Sequence, residues 1–477
     1  VARTDGLYAL VVSNFGCGPD SFLLSYGQAI MGDKPLLVLE IDEHGAAGGY
    51  ETRIEAFVDV VRGHASGRRK AGSRRALPRE PAPIALKGRT LWFPQMHPVG
   101  NRFLVAAFRS EGQDARTLPL EDEGTLALGK KWTRGAECLP MALTLGAFLD
   151  RVDPKSRPDG DDARPPALFM PTSTGPCRYG QYRTLDRMVF ERLKLDDVPI
   201  ISPGAHNAYF GLRGSLRRRA WAGICGGDLL FKMRCRVLPY ETTKGDTEEV
   251  LERVSRRGED LVASKAMRWP AFLEEAMGEF LRIPVGPGPR PLVGIVGEIY
   301  VRCNPFANGR LVETIERLGG EAWLSPVSEW ILYTAWVERY LARRGGGGPV
   351  KLASLAAKWA YLTGTLKTME RRLGPLLGDR REPSMDEIMR ACGDTLPPEF
   401  QGESTVTVGR AVLFGERGAD LVVNCAPFGC MHGNITAAVF EQERPTVRVP
   451  VVNMSYDGTG DNALLSAFMH EARQRKA

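Results

Sequence analysis

The chain has 477 residues, of which 43% are hydrophobic and 25% charged, with a formal net charge of +6. This composition excludes a disordered or collagen-like chain and leaves room for two or three domains with sizeable cores. No apolar run reaches the length of a membrane span and the N-terminus carries no signal-peptide pattern, so the expectation is a cytoplasmic protein.

The first predicted element is the apolar run Tyr8-Ala9-Leu10-Val11-Val12. It leads into the loop Asn14-Phe15-Gly16-Cys17-Gly18-Pro19-Asp20, then a helix-like stretch, then a second apolar run, Leu36 to Asp42. A further helix carries Ala56-Phe57. The same order closes the chain: Leu421-Val422-Val423, the loop Pro427-Phe428-Gly429-Cys430-Met431-His432-Gly433, a helix, the run Val451 to Asp457, and a helix with Ala467-Phe468. This is an internal repeat of strand, Phe-Gly-Cys loop, helix, strand, helix. Residues 1–61 are one copy, too small to bury both faces of a sheet alone. They are expected to pack on the rest of the chain or on another polypeptide, as the C-terminal part of a preceding repeat module.

Residues 62–90 are basic and rich in Pro and Gly, with no apolar period, and read as a solvated linker. Residues 91–290 read as a first domain. Leu91-Trp92-Phe93 is a strand, followed by a loop with His97 and a helix through Phe108. Cys138 stands in Glu137-Cys138-Leu139-Pro140 before a helix from Ala142 to Leu149. A polar insertion runs from Asp153 to Pro166. The strand Ala167 to Met170 then feeds Gly175-Pro176-Cys177-Arg178-Tyr179-Gly180-Gln181 and a helix carrying Leu185, Met188, Val189 and Leu193. Pro199 to Ser202 is a further strand. Residues 291–477 form a second domain of the same kind. It opens on the buried strand Pro291 to Glu298 and carries a helical insertion from Ser328 to Leu377, broken at Gly345 to Pro349. Short apolar runs alternating with amphipathic helices indicate an α/β fold with parallel sheets.

Nine cysteines are present. In a reducing compartment, cysteines beside Gly and Pro in loops suggest metal or cluster ligation before disulfides. Cys17, Cys138, Cys177 and Cys430 share that context, each near a strand end or a helix start. Backbone N–H groups and the helix dipole favour a thiolate there, and soft thiolates suit an iron–sulfur cluster or zinc. Small buried structural cysteines are the alternative. Cys225, Cys235, Cys303, Cys392 and Cys425 lie in apolar or helical surroundings and are expected in the core. His97 and His432 adjoin the candidate loops and read as satisfied loop histidines. Glu137 and Arg178 flank the thiols, where they could tune a cluster, hold an acidic substrate or pair at the surface. There is no GxGxxG fingerprint, no P-loop, no zinc-protease helix and no nucleophile elbow.

The motifs Asn14 to Phe22, Leu39 to His44, Met96 to Asn101, Glu137 to Pro140, Gly175 to Gln181, Val296 to Arg302 and Pro427 to Met431 together resemble the large activase-related proteins of the 2-hydroxyacyl-CoA dehydratase and benzoyl-CoA reductase superfamily. The resemblance covers nearly the whole chain. It implies tandem Rossmann-like domains with a [4Fe–4S] or double-cubane iron–sulfur cluster at the domain interface. It implies Cys138, Cys177 and Cys430 as ligands, and Cys17 as the last cysteine of a preceding module. It also implies low-potential electron transfer to an acyl-CoA or other small substrate. The electron would be driven by a partner, an actin/Hsp70-type ATPase activase subunit, since this chain shows no ATPase half. A further subunit would carry the rest of the preceding module. His432 departs from the family pattern, which has proline there. Membrane and nucleic-acid partners are not expected. Two other readings stay open: a non-catalytic structural or assembly subunit, and a zinc-stabilised binding protein.

Overall fold

The computed structural model describes residues 1–14, 18–42, 45–67, 86–152, 164–173, 175, 177–204, 212–265, 268–442, 447–460 and 462–476. Cys17, His44, most of the basic linker and the Asp153–Ala163 part of the insertion lie outside the described residues.

Among the described residues, ten strands form three sheets, and every strand pairing within them is parallel. The first sheet is a two-stranded one, β1 (Ala9–Asn14) beside β2 (Leu36–Ile41). The second contains β3 (Thr90–Phe93), β4 (Ala115–Thr117), β5 (Pro166–Phe169) and β6 (Ile200–Ile201), in the order β4-β3-β5-β6. The third contains β7 (Leu292–Gly297), β8 (Glu321–Leu324), β9 (Leu421–Pro427) and β10 (Val451–Tyr456), in the order β10-β9-β7-β8. Both four-stranded sheets therefore place their strands second, first, third, fourth. The chain reverses direction across the sheet between the first strand and the third, and in such doubly wound sheets the carboxyl ends at that switch point are where ligands gather. The expected α/β class with parallel sheets is what the chain adopts.

The strands are apolar on both faces because helices cover both faces. All residues of β3, β5, β7 and β9 are buried, the pattern of parallel sheets enclosed by crossover helices. Helix Gly214–Val237 follows the last strand of the second sheet and packs on β8 and on the Val327–Arg344 and Pro349–Glu370 helices. One core cluster thus runs through both halves, from Leu91 and Phe103 to Tyr333, Leu366 and Ile388. Helix Ala47–Ala65 runs four residues past the expected end of the first copy, into the stretch read as linker.

Charged groups are buried in the same seam. Lys232 of the Gly214–Val237 helix bonds to Glu382 and, at 2.8 Å, to the Arg380 carbonyl. Arg410 reaches Glu382 at 2.7 Å and also pairs with Glu329. No residue of this network is exposed, so losing one partner strands a charge away from water. Among the described residues, no helix is long and apolar enough to cross a membrane.

Lys232→Met removes the cation from Glu382 and should lower unfolding free energy by about 3–5 kcal/mol, read by urea denaturation.

Candidate functional site

The loops after the carboxyl ends of the two enclosed sheets meet each other. Cys138 precedes helix Leu139–Val152, and its carbonyl accepts from the amides of Met141 at 3.0 Å and Ala142 at 3.4 Å. Cys430 stands the same way before helix Met431–Gln442, its carbonyl accepting from Asn434 at 2.9 Å. Gly429, at φ +66°, turns the chain between β9 and that helix. Cys177 caps a short 3-10 turn, Arg178–Gln181, ahead of helix Tyr182–Arg192. It is not directly after its strand, as the sequence suggested: β5 ends at Phe169 and an irregular stretch intervenes.

Arg178 ties these loops together. Its side chain is buried, and Nη1 donates to the Ala136 carbonyl at 3.2 Å while Nη2 donates to the Gly429 carbonyl at 2.7 Å. One guanidinium next to Cys177 therefore bonds the loop before Cys138 and the loop before Cys430. The backbone of Gly18 lies against it as well: a Cβ there would come within 3.2 Å of Arg178 Nε.

Cys138 and Cys430 are buried and Cys177 is half-buried. Cys177 is close enough to Cys138 and Cys430 to feel their charge, and Cys430 feels that of Cys138. Burial pushes Cys177 well up, opposed by a hydrogen bond from the Tyr179 amide and reinforced by Glu298, Cys138 and Cys430. Burial pushes Cys430 up to about 12, with Glu298 and Cys138 adding to the shift and Arg178 opposing it. Burial also raises Cys138, while Arg178 and the Tyr182 hydroxyl pull it back. Among the described residues, no three His, Cys, Asp or Glu side chains are grouped so that they could hold a metal ion. The three sulfurs are neighbours without forming a single-ion ligand set.

Tyr182 and Glu298 act on the thiols, and His432 follows Cys430 by two positions. The Tyr182 hydroxyl is 2.7 Å from Cys138 Sγ. Glu298, just past β7 at the switch point of the third sheet, accepts from the amides of Tyr300 at 3.1 Å and Val301 at 2.8 Å, and its field reaches all three thiols. Burial raises the Glu298 carboxyl, with those amides, Arg302 and Arg178 opposing. His432 is buried; its Nδ1 lies 3.0 Å from Ser404 Oγ and its Nε2 has no hydrogen-bond partner. Burial lowers His432 to about 4, with Arg178 adding to the shift. It is satisfied on one nitrogen only.

The other expectations sort plainly. His97 is a satisfied loop histidine, its Nδ1 accepting from Gly100 N at 2.9 Å, and its Nε2 lies 3.8 Å from Asp228 Oδ1, away from the thiols. Cys225, Cys235, Cys303, Cys392 and Cys425 are buried in core clusters or beside them. Glu137 is not a surface ion pair: it accepts from Arg134 N at 2.8 Å and Ser25 Oγ at 3.3 Å, joining the Cys138 loop to helix Gly18–Met31. Tyr182 and Glu298 were given no role from sequence. Glu298 carried a usable signal, since it ends an apolar strand; Tyr182 did not, because its partner is 44 residues away.

No protein-family model matches this chain, and no curated protein matches it.

Two variants test the geometry. Arg178→Met orphans two carbonyls and should cost about 1–3 kcal/mol, with faster amide exchange in the loops before Cys138 and Cys430. Gly297 sits at φ +111°, and a Cβ there would lie 1.9 Å from the Cys425 carbonyl oxygen. Gly297→Ala should therefore destabilise by more than about 1 kcal/mol in thermal unfolding, because both the backbone and the space forbid it.

Proposed function

We propose that Cys138, Cys177 and Cys430 hold an iron–sulfur cluster, of [4Fe–4S] or double-cubane type, in a protein that performs low-potential electron transfer. The observation that carries this reading is the convergence of three buried or half-buried thiols, from both enclosed α/β sheets, around the single guanidinium of Arg178. The helix starts at Cys138 and Cys430 favour thiolates there.

Bound there, a cluster would supply a reducing electron to an acyl-CoA or other small substrate. The chain's own residues supply the surroundings. Arg178 offsets thiolate charge and fixes the loops. Tyr182 donates a hydrogen bond to the Cys138 sulfur, which lowers electron density on it. Three thiolates leave room for a fourth, non-protein ligand. ATP hydrolysis is assigned to a separate activase-type polypeptide, in keeping with the resemblance to the 2-hydroxyacyl-CoA dehydratase and benzoyl-CoA reductase superfamily.

Anaerobically purified protein should contain iron matched by acid-labile sulfide, with visible absorption that bleaches on reduction. Cys138→Ala, Cys177→Ala and Cys430→Ala should each lose most of the iron. Full iron content in all three variants, or stoichiometric zinc in place of iron, overturns the reading.

A further inference from the structure

Glu298, whose field reaches the three thiols, belongs to a group of charges with too few cations. It caps helix Ile299–Cys303, its two carboxyl oxygens accepting from the amides of Tyr300 and Val301. Arg302 of that helix is buried. Its Nη1 donates to Glu403 Oε1 at 3.0 Å and to the Gly297 carbonyl. Its Nε donates to the Ser325 carbonyl at 3.1 Å, and Nη2 to the Pro326 carbonyl at 3.2 Å. Glu403 opens helix Glu403–Glu416 and is buried, whereas Glu298 is half-buried.

Two carboxyls therefore meet one guanidinium, and its hydrogen bonds reach only Glu403. Arg178 acts on Glu298 through its field, but it also serves Cys138 and Cys430. The other titratable groups that face the pair bring no cation. They are Glu329 and Tyr333 of helix Val327–Arg344, Cys303 beside Arg302, Cys425 of β9, and Tyr182, Tyr300 and the three thiols around Glu298. Burial raises both carboxyls against the pull of Arg302, and at Glu403 the field of Glu298 raises it further.

The adjoining part of the seam is matched differently. Glu382 is bonded by two cations, Lys232 and Arg410; against the effect of burial, they hold its carboxyl below the usual range. A carboxyl taken out of water without a cation of its own keeps its proton instead. Two such carboxyls within each other's field titrate as a pair.

We propose that Glu298 and Glu403 share one proton at neutral pH, with Arg302 answering the single remaining charge, and that this pair is the proton store of the thiol site. When an electron arrives on a group held by Cys138, Cys177 and Cys430, negative charge rises beside Glu298. The pair then binds a second proton, taken from solvent through the half-buried Glu298. One electron and one proton enter together, so the net charge of a poorly hydrated region stays constant. On reoxidation the electron leaves and the second proton returns to solvent. This use of the store rests on the iron–sulfur reading; the sharing of the proton does not.

The test is infrared difference spectroscopy of the anaerobically purified full chain at neutral pH, read at the C=O stretch of protonated carboxyls. The samples are the wild type, Glu298→Gln and Glu403→Gln. Either substitution leaves a single carboxyl with Arg302, and that carboxyl ionises. The expected result is that one and the same wild-type band disappears in both variants. A band lost in only one variant, a different band lost in each, or no band lost overturns the proposal. Glu329→Gln, whose carboxyl bonds Arg410, should keep the band; its loss there overturns the proposal too, because the proton then belongs to the whole seam.

A second measurement needs only Glu403→Gln and covers the case in which Glu298→Gln, having lost part of its helix cap, fails to fold. The reduction potential of the bound iron should fall with rising pH in the wild type and lose that slope in Glu403→Gln. An equal slope in both overturns the store. Iron assayed on the same samples separates the two readings: protein without iron fails the cluster reading, and the carboxyl band then decides the shared proton by itself.

Discussion

A buried cation must find acceptors, and Arg178 finds them on two separate loops. Its bonds to the carbonyls of Ala136 and Gly429 span 42 and 251 residues of sequence. An unpaired buried guanidinium would be costly, so those two loops are held where its donors reach. Cys177 is its chain neighbour, Cys138 follows Ala136 by two positions, and Cys430 follows Gly429 directly. One side chain's need for hydrogen bonds thereby sets which thiols are neighbours. Glycine supports it at one of these contacts, with positive φ at Gly429, and at a third approach, where Gly18 has no Cβ to push the guanidinium aside.

The same strand order in both enclosed sheets explains why these loops are available. Each sheet has its first and third strands adjacent, and the loops leaving them splay apart at the carboxyl end. Cys177 follows β5, the third strand of one enclosed sheet, Cys430 follows β9, the third strand of the other, and Glu298 follows β7, the first strand of that same sheet. The seam between the halves is rigidified by a shared apolar core and by the Lys232, Glu382, Arg410 and Glu329 network. The N-terminal copy contributes only strands of the third and fourth kind. That is why its helix Gly18–Met31 reaches the site through Ser25, Tyr26 and Phe22 while its other face stays open.

Much of the fold was legible because it depends on local pattern. The apolar runs at Leu91, Ala167, Pro291 and Leu421 are strands, and the 3.6-residue spacing at Leu185 to Leu193 is a helix up to its last turn. Cys138 and Cys430 were legible as helix-start residues because Pro and Gly punctuate the chain beside them. The position of Cys177 was less so, since the irregular stretch after Phe169 has no period to read. The role of Glu137 stayed open between cluster tuning, substrate binding and surface pairing, because its partner, Ser25, is 112 residues distant. His432 read as an ordinary loop histidine, and nothing local told that its Nε2 would be buried without a partner.

The sequence by itself determined the class of fold, the repeat and, among its candidate cysteines, the helix-start placement of Cys138 and Cys430, because periodicity and turn chemistry act over a few residues. The tertiary structure alone decided that three of those cysteines become neighbours, that Tyr182 and Glu298 join them, and that one copy of the repeat keeps an exposed apolar face. Those outcomes depend on sheet order and on burial between distant segments, and neither leaves a trace in short-range pattern.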